Sequence, residues 1–152
     1  MNQDQLQALL TKVQKGAIAV PEALHRLRTL PYENLGFASL DHHRALRQGF
    51  PEVIFCEGKT VSQVVAIAKT LLRKNNALLA TRVEPSVARA LLRVSKRAVY
   101  HEAARVVAIA PPKLVRRGAV LIVTAGTADI PVAEEARVTA DIMGSKTDTL
   151  YD

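Results

Sequence analysis

Residues 119–144 read AVLIVTAGTADIPVAEEARVTADIMG. The opening run, Ala119-Val120-Leu121-Ile122-Val123, is short, apolar and rich in β-branched residues, which predicts a strand buried on both faces. A turn of small residues follows, Thr124-Ala125-Gly126-Thr127-Ala128-Asp129, and Pro131 then stands where a first helical turn tolerates it. Glu134 and Glu135 fall near the positive end of that helix. Val132, Ala136, Val138, Thr139, Ala140 and Ile142 supply its apolar spacing. Parallel α/β proteins place anions at such a strand–loop–helix junction, because backbone N–H groups and the helix dipole both attract negative charge there. The stretch has too few glycines for a dinucleotide or P-loop fingerprint. An ordinary βα turn, with Thr127 or Asp129 capping the helix, fits the same spacing.

The segment TAGTADIPVAEEA resembles the signature TAGTSD-IPVAEEA of the LarB family, carboxylase/hydrolases that begin synthesis of the nickel-pincer nucleotide cofactor. In that family these residues carry the first strand and helix of a domain similar to PurE, the aminoimidazole ribonucleotide mutase/carboxylase. The resemblance continues upstream through DHHRALRQGFPEVIFCEGKT, residues 41–60, and so takes in almost the whole chain. Ala128 departs from the pattern: it replaces a serine and removes one hydroxyl that would bond phosphate or ribose. The chain also ends at Asp152, where the pattern leads one to expect only one strand and one helix of the PurE-like domain.

The resemblance implies an enzyme that carboxylates the pyridinium ring of nicotinic acid adenine dinucleotide and hydrolyses its phosphoanhydride. The products are a dicarboxylated pyridinium mononucleotide and AMP, and the co-substrate is CO2 or bicarbonate. It also implies a symmetric homo-oligomer. No cofactor is assigned to this chain itself, with Mg left as an ion for the full-length family enzyme. The family's nucleophilic cysteine belongs to the PurE-like half, downstream of these residues, so no catalytic residue is expected here and the chain alone should be inactive. Thr124, Gly126, Thr127 and Asp129 are the expected nucleotide- and phosphate-binding residues. A module that only binds nucleotide or self-associates, and a small basic nucleic-acid-binding protein, are the alternatives.

Composition agrees with a soluble α/β protein. The 152 residues are 49% hydrophobic and 23% charged, with 4% aromatics and no Trp, so the core must be built from Leu, Val, Ile and Ala. No apolar run approaches the roughly 20 residues that span a bilayer. The N-terminus MNQDQLQALLTKVQKG lacks a signal-peptide core. With one cysteine, Cys56, no internal disulfide forms, and a cytoplasmic location is expected. Twenty-one basic against 14 acidic residues give a net charge of +7, which favours anionic partners. The basic residues are dispersed and no aromatic platform accompanies them, so phosphorylated small molecules fit better than nucleic acid.

Upstream, Leu6, Leu9, Leu10 and Val13 mark one face of a helix over residues 2–16, and Leu24, Leu27 and Leu30 a second over residues 21–30. Residues 32–40 read as irregular and then extended. Asp41 is suited to cap a short helix that Gly49 ends. Strands are predicted at residues 53–56, 77–83, 98–100 and 104–110, and helices at 61–74 and 84–94. This alternation argues for a layered α/β domain with parallel pairs. Ala110-Pro111-Pro112-Lys113 reads as a stiff linker. Three parts follow: a helical pair (1–31), an α/β domain (32–112) and the beginning of a PurE-like, flavodoxin-like domain (113–152), the last expected to be a less ordered tail.

Arg44 and Arg47, three apart on one helix face, and Lys59 after a glycine form a second phosphate-binding constellation. The alternative has the two arginines paired with Asp41, Glu52 or Glu57. Gly58-Lys59-Thr60 is not a Walker motif, because Val53 stands where its first glycine belongs. His42-His43 lacks a Cys or carboxylate at ligand spacing, so no metal site is expected, and surface or capping roles are the plain reading. Cys56 lies in an apolar strand pattern, where a thiol is buried and inert. Gly144-Ser145-Lys146-Thr147-Asp148 looks like a phosphate loop of PurE but follows a helix, and reads as an exit turn with no strand after it.

Overall fold

The computed structural model describes residues 3–28, 32–42, 44 and 48–152. Helices α1 (Gln3–Gln14) and α2 (Val20–Arg28) come first, and Gly16 leaves α1 with φ +69°. Leu9 and Ala23 are buried in this pair, while Leu10, Val20 and Leu24 stay exposed. A hairpin follows, β1 (Tyr32–Asn34) and β2 (Ser39–Asp41), in a segment that sequence reading left partly irregular. Its turn is local chemistry: Asn34 Oδ1 accepts from Gly36 N–H at 2.7 Å, Gly36 has φ +85°, and Leu35 N–H donates to Ala38 O at 2.8 Å. Asp41 thus closes a strand, with its N–H donating to Glu52 Oε2 at 2.7 Å.

The central sheet is built from β3 (Ile54–Phe55), β4 (Leu78–Thr81), β5 (Val99–His101) and β6 (Val106–Ile109), in the order β3-β4-β6-β5. Strand β3 runs parallel to β4, and α3 (Val61–Lys74) connects them. The next helix, α4 (Pro85–Val94), leads to β5. Strand β6 turns back antiparallel and inserts between β4 and β5. The expected parallel pairing is therefore found for β3 and β4 alone, and the β4–β6 and β6–β5 pairs are antiparallel. Helix α3 begins at a full capping box: Thr60 Oγ1 accepts from Gln63 N–H, and Gln63 Oε1 from Thr60 N–H.

Alternation along the strands sends side chains to two cores. Leu78, Ala80, Val107 and Ile109 face α3 and α4, whereas Leu79, Val106 and Ala108 face the other side. Both faces are covered, which is why β4 and β6 read as continuous apolar runs. The second face is covered by α5 (Ile130–Ile142) through Val138 and Ile142.

That helix belongs to a β–α–β unit. Strand β7 (Ala119–Thr124) leads through a 3-10 turn (Thr127–Asp129) into α5, and β8 (Lys146–Tyr151) returns parallel to β7. Three expectations are corrected here. Gly144–Asp148 does lead to a strand, because Gly144, at φ +99°, turns the chain under the 114–118 segment. Arg117 N–H then donates to Gly144 O, and Lys146 N–H to Gly118 O. The segment is not a loose tail, since α5 packs on β4 and β6. Nor is β7 buried on both faces: a two-stranded sheet with one helix beside it leaves Leu121 and Val123 exposed.

Candidate functional site

The turn between β7 and α5 is open. Residues 125–129 are all exposed, and nothing lies within 4 Å of where a Gly126 side chain would begin. Gly126, at φ +103° and ψ 137°, reverses the chain and donates its N–H to Asp152 O at 3.0 Å. Asp152 N–H returns to Thr124 O at 3.1 Å, so the turn is fastened to the end of β8. Asp129 N–H donates to Gly126 O, forming the 3-10 turn. Asp129 stands at the N-cap of α5, as the ordinary βα turn would have it, but neither its side chain nor that of Thr127 makes a cap hydrogen bond. The Thr127 hydroxyl and the Asp129 carboxylate are thereby left to solvent or ligand.

The first turn of α5 has no acidic residue. Glu134 and Glu135 lie one turn further and are committed elsewhere. Glu134 takes a bidentate contact from Arg137, at 2.8–3.1 Å, and the Tyr151 hydroxyl at 2.8 Å. The Arg137 bond is the first cause that holds the Glu134 carboxyl below the ordinary carboxylate range. Glu135 pairs with Arg82 Nε at 3.1 Å across to the central sheet. Within the helix's first turn nothing negative opposes an anion, and the one acid at this helix end is the exposed N-cap carboxylate of Asp129.

The second expected constellation is separate. Lys59 is exposed, and its Nζ donates to Phe55 O at 2.7 Å and lies 5.9 Å from the Phe55 ring centroid. Arg44 is half-buried, and Arg47 lies outside the described residues. Among the described residues, no hydrogen bond or ion pair joins Arg44 or Lys59 to the 124–129 turn. Cys56 is 4% exposed, and burial raises its thiol to about 11, which leaves it protonated and unreactive at neutral pH.

His42 does not take the surface or capping role that its sequence suggests; it is 1% exposed. Its Nε2 lies 3.1 Å from Glu33 Oε2, and Glu33 also pairs with Lys74 at 3.0 Å and Arg73 at 3.1 Å. Burial, then Lys74, keeps the imidazole below its usual pKa, so it is neutral at pH 7. Contacts between β1 and the end of α3, some 40 residues apart, leave no local trace in sequence, which is why this cluster was missed. The Glu134–Arg137 pair, by contrast, had the readable i, i+3 spacing. Among the described residues no group of three or more His, Cys, Asp or Glu side chains is placed to hold a metal ion. Among them, too, no helix is long and apolar enough to cross a membrane.

A model of the LarB/PurE-like N-terminal domain matches residues 32–111, more than half of the 152. An uncharacterized protein of Methanocaldococcus jannaschii is 31% identical over 156 residues, a match covering 97% of this chain and 60% of that protein. The chain thus spans less than two thirds of that relative's length. With the family model seated on the hairpin and central sheet, and the relative extending the similarity through the β7–α5–β8 unit, the chain belongs to the LarB family.

Proposed function

We propose that this chain supplies nucleotide-binding elements of a LarB-type enzyme that acts on nicotinic acid adenine dinucleotide with CO2 or bicarbonate. The observation that carries this reading is the open turn at residues 124–129, exposed from 125 on, without side-chain cap bonds and leading through the N-cap Asp129 into a helix whose first turn lacks acid. The Gly126 and Asp129 N–H groups are bonded within the protein, so the helix dipole and the N–H groups of Thr127 and Ala128 would attract a phosphate there, none of them depending on the serine that Ala128 replaces. Thr127 would donate to phosphate, while Asp129, an acceptor only, suits ribose hydroxyls.

The pyridinium ring is electron-poor, so its carboxylation calls for transient addition of a nucleophile that makes a ring carbon attack CO2; that carbon then loses its proton and the nucleophile departs, restoring the aromatic ring. Cys56, buried and protonated, is unfit for that role. We therefore expect this polypeptide to bind the dinucleotide without turning it over. Self-association, as expected for the family, belongs to the same proposal.

Calorimetric titration with nicotinic acid adenine dinucleotide tests the binding. The combined variant Thr127→Val, Asp129→Ala should weaken it about tenfold or more with unchanged circular dichroism. Unaltered affinity in that variant, or no binding by the parent chain at millimolar ligand, would refute the reading. Mass spectrometry after incubation with the dinucleotide and bicarbonate should find no carboxylated mononucleotide.

A further inference from the structure

A cavity of about 280 Å³ lies in the first part of the chain, away from the β7–α5 turn, between the second hairpin strand, β3 and α3. Three elements of distant sequence wall it, unlike the shallow grooves along α1 or α2, whose lining comes from one helix each. Its floor is apolar and buried: Leu40, Ile54, Ile67 and Leu71. Its remaining wall includes Phe55, half of whose surface is exposed, together with two charged side chains, Glu52 and Lys59.

Both charged groups are fixed. Glu52 Oε2 is held by the Asp41 N–H, and Lys59 Nζ by the Phe55 carbonyl oxygen, 5.9 Å from the Phe55 ring centroid. An ammonium group has three donors, and the bond to Phe55 O uses one of them. Lys59 also precedes the capped N-terminus of α3, whose first turn has no acidic residue to offset its positive end. An apolar slot with one oriented cation at its wall selects a flat apolar body with a negative end. The nearby Glu52 carboxylate opposes a doubly charged phosphate more than a monoanion. The exposed Phe55 ring offers a stacking surface.

From this we infer that the cavity beside Lys59 is a binding site for a small aromatic monocarboxylate, distinct from the nucleotide turn. The site stands on its own geometry, so loss of dinucleotide binding in the Thr127→Val, Asp129→Ala variant should leave it intact.

The test uses benzoate as the probe, followed by 15N–1H correlation spectra of the full chain. Benzoate should shift the amides of residues 38–40, 52–55 and 59, and benzyl alcohol, similar in size but uncharged, should bind at least tenfold more weakly. Lys59→Met keeps an apolar stem over Phe55 and should lower benzoate affinity at least tenfold while leaving benzyl alcohol unchanged. Ala38→Leu, which fills the cavity from its wall, should abolish both. Equal binding of benzoate and benzyl alcohol, unchanged benzoate affinity in Lys59→Met, or shifts scattered away from the cavity would overturn the proposal. Inorganic phosphate that competes with benzoate as strongly as a second aromatic acid would overturn the assignment to a monocarboxylate.

Discussion

Cys56 shows how a single side chain is settled by its surroundings. Its Sγ points to Ile54 O at 3.8 Å inside the core between β3 and α3, and burial outweighs the opposing pull of Lys59 on its pKa. A reagent that needs thiolate, such as Ellman's reagent, should therefore react with the native chain at pH 7.5 at least about tenfold slower than with the urea-unfolded chain. Equal rates would show that the thiol is accessible. His42 and Glu33 make a second residue-scale case, this one pH-dependent. The folded pKa of His42 lies below its ordinary 6.5, so the unfolded state binds more protons in that window. Its contribution to stability is present above pH 6.5 and is lost as pH falls toward the folded value. Glu33, held low first by its bond to Lys74 and then by His42, acts in the same direction below about 4.5. The imidazole is faced by Glu33 of β1, which Lys74 and Arg73 of α3 also bind, and no acid beyond Glu33 is bonded to it among the described residues. Urea titrations at stepped pH should show stability falling from pH 7 to 5.5. His42→Gln should flatten that fall without erasing it, because the His101 pKa is also lowered, mainly by burial. A slope unchanged by the substitution would locate the effect elsewhere.

At the scale of elements, Gly126 and Gly144 share a left-handed φ but not a cost of substitution. A Cβ on Gly126 would meet nothing within 4 Å, whereas on Gly144 it would lie 2.6 Å from Val115 O, beneath the strand entry. Arg116 secures the same junction through Asp141 at 2.6 Å and Ser145 O at 2.8 Å. Gly144→Ala should therefore destabilise by about 2–3 kcal/mol, and Gly126→Ala by about 1–2, the strain of an alanine in that conformation. Denaturation midpoints of the two variants check this, and equal losses would mean that the 115–144 contact carries no weight. The contrast also marks what sequence could reveal. Helices α3 and α4 were legible from apolar spacing and, for α4, from Pro85 in its first turn, both local signals, whereas the Thr60 capping box was not read. The turn at 124–129 was legible for the same reason, from small residues followed by Pro131. Strand β8 was not, because Lys146-Thr147-Asp148-Thr149 is polar and alternates no buried side chains. It forms through backbone pairing with β7, a long-range choice that composition does not announce. The insertion of β6 between β4 and β5 was hidden likewise, since strand order leaves no periodicity. Arg44 and Arg47 drew attention through helical spacing, yet spacing alone gives no partner.

For the whole molecule, the distribution of exposed apolar surface is the consequential feature. The central sheet is covered on both faces, by α3 and α4 on one side and α5 on the other. The β7–β8 pair has α5 on one face and turns exposed apolar side chains outward on the other. Its register sets Val123 beside Leu150 and Leu121 beside Asp148, and Leu121, Val123 and Leu150 are 60–62% exposed. A two-stranded parallel pair with such a face is unusual as a solvent-facing surface, because parallel strands are normally buried and open edges recruit further strands. The chain's net charge of +7 opposes association at low ionic strength, so screening should strengthen it if burial of this face drives it. The chain should therefore self-associate more strongly at 0.5 M NaCl than at 0.05 M in sedimentation velocity. Leu121→Lys combined with Val123→Lys should remain monomeric at both salts while keeping the parent's circular dichroism, since neither side chain belongs to either core. Association that weakens with salt would point to charged contacts instead. A double variant that associates as the parent does would move the interface to another surface, with the exposed Leu10 and Leu24 of the α1–α2 pair the next to substitute.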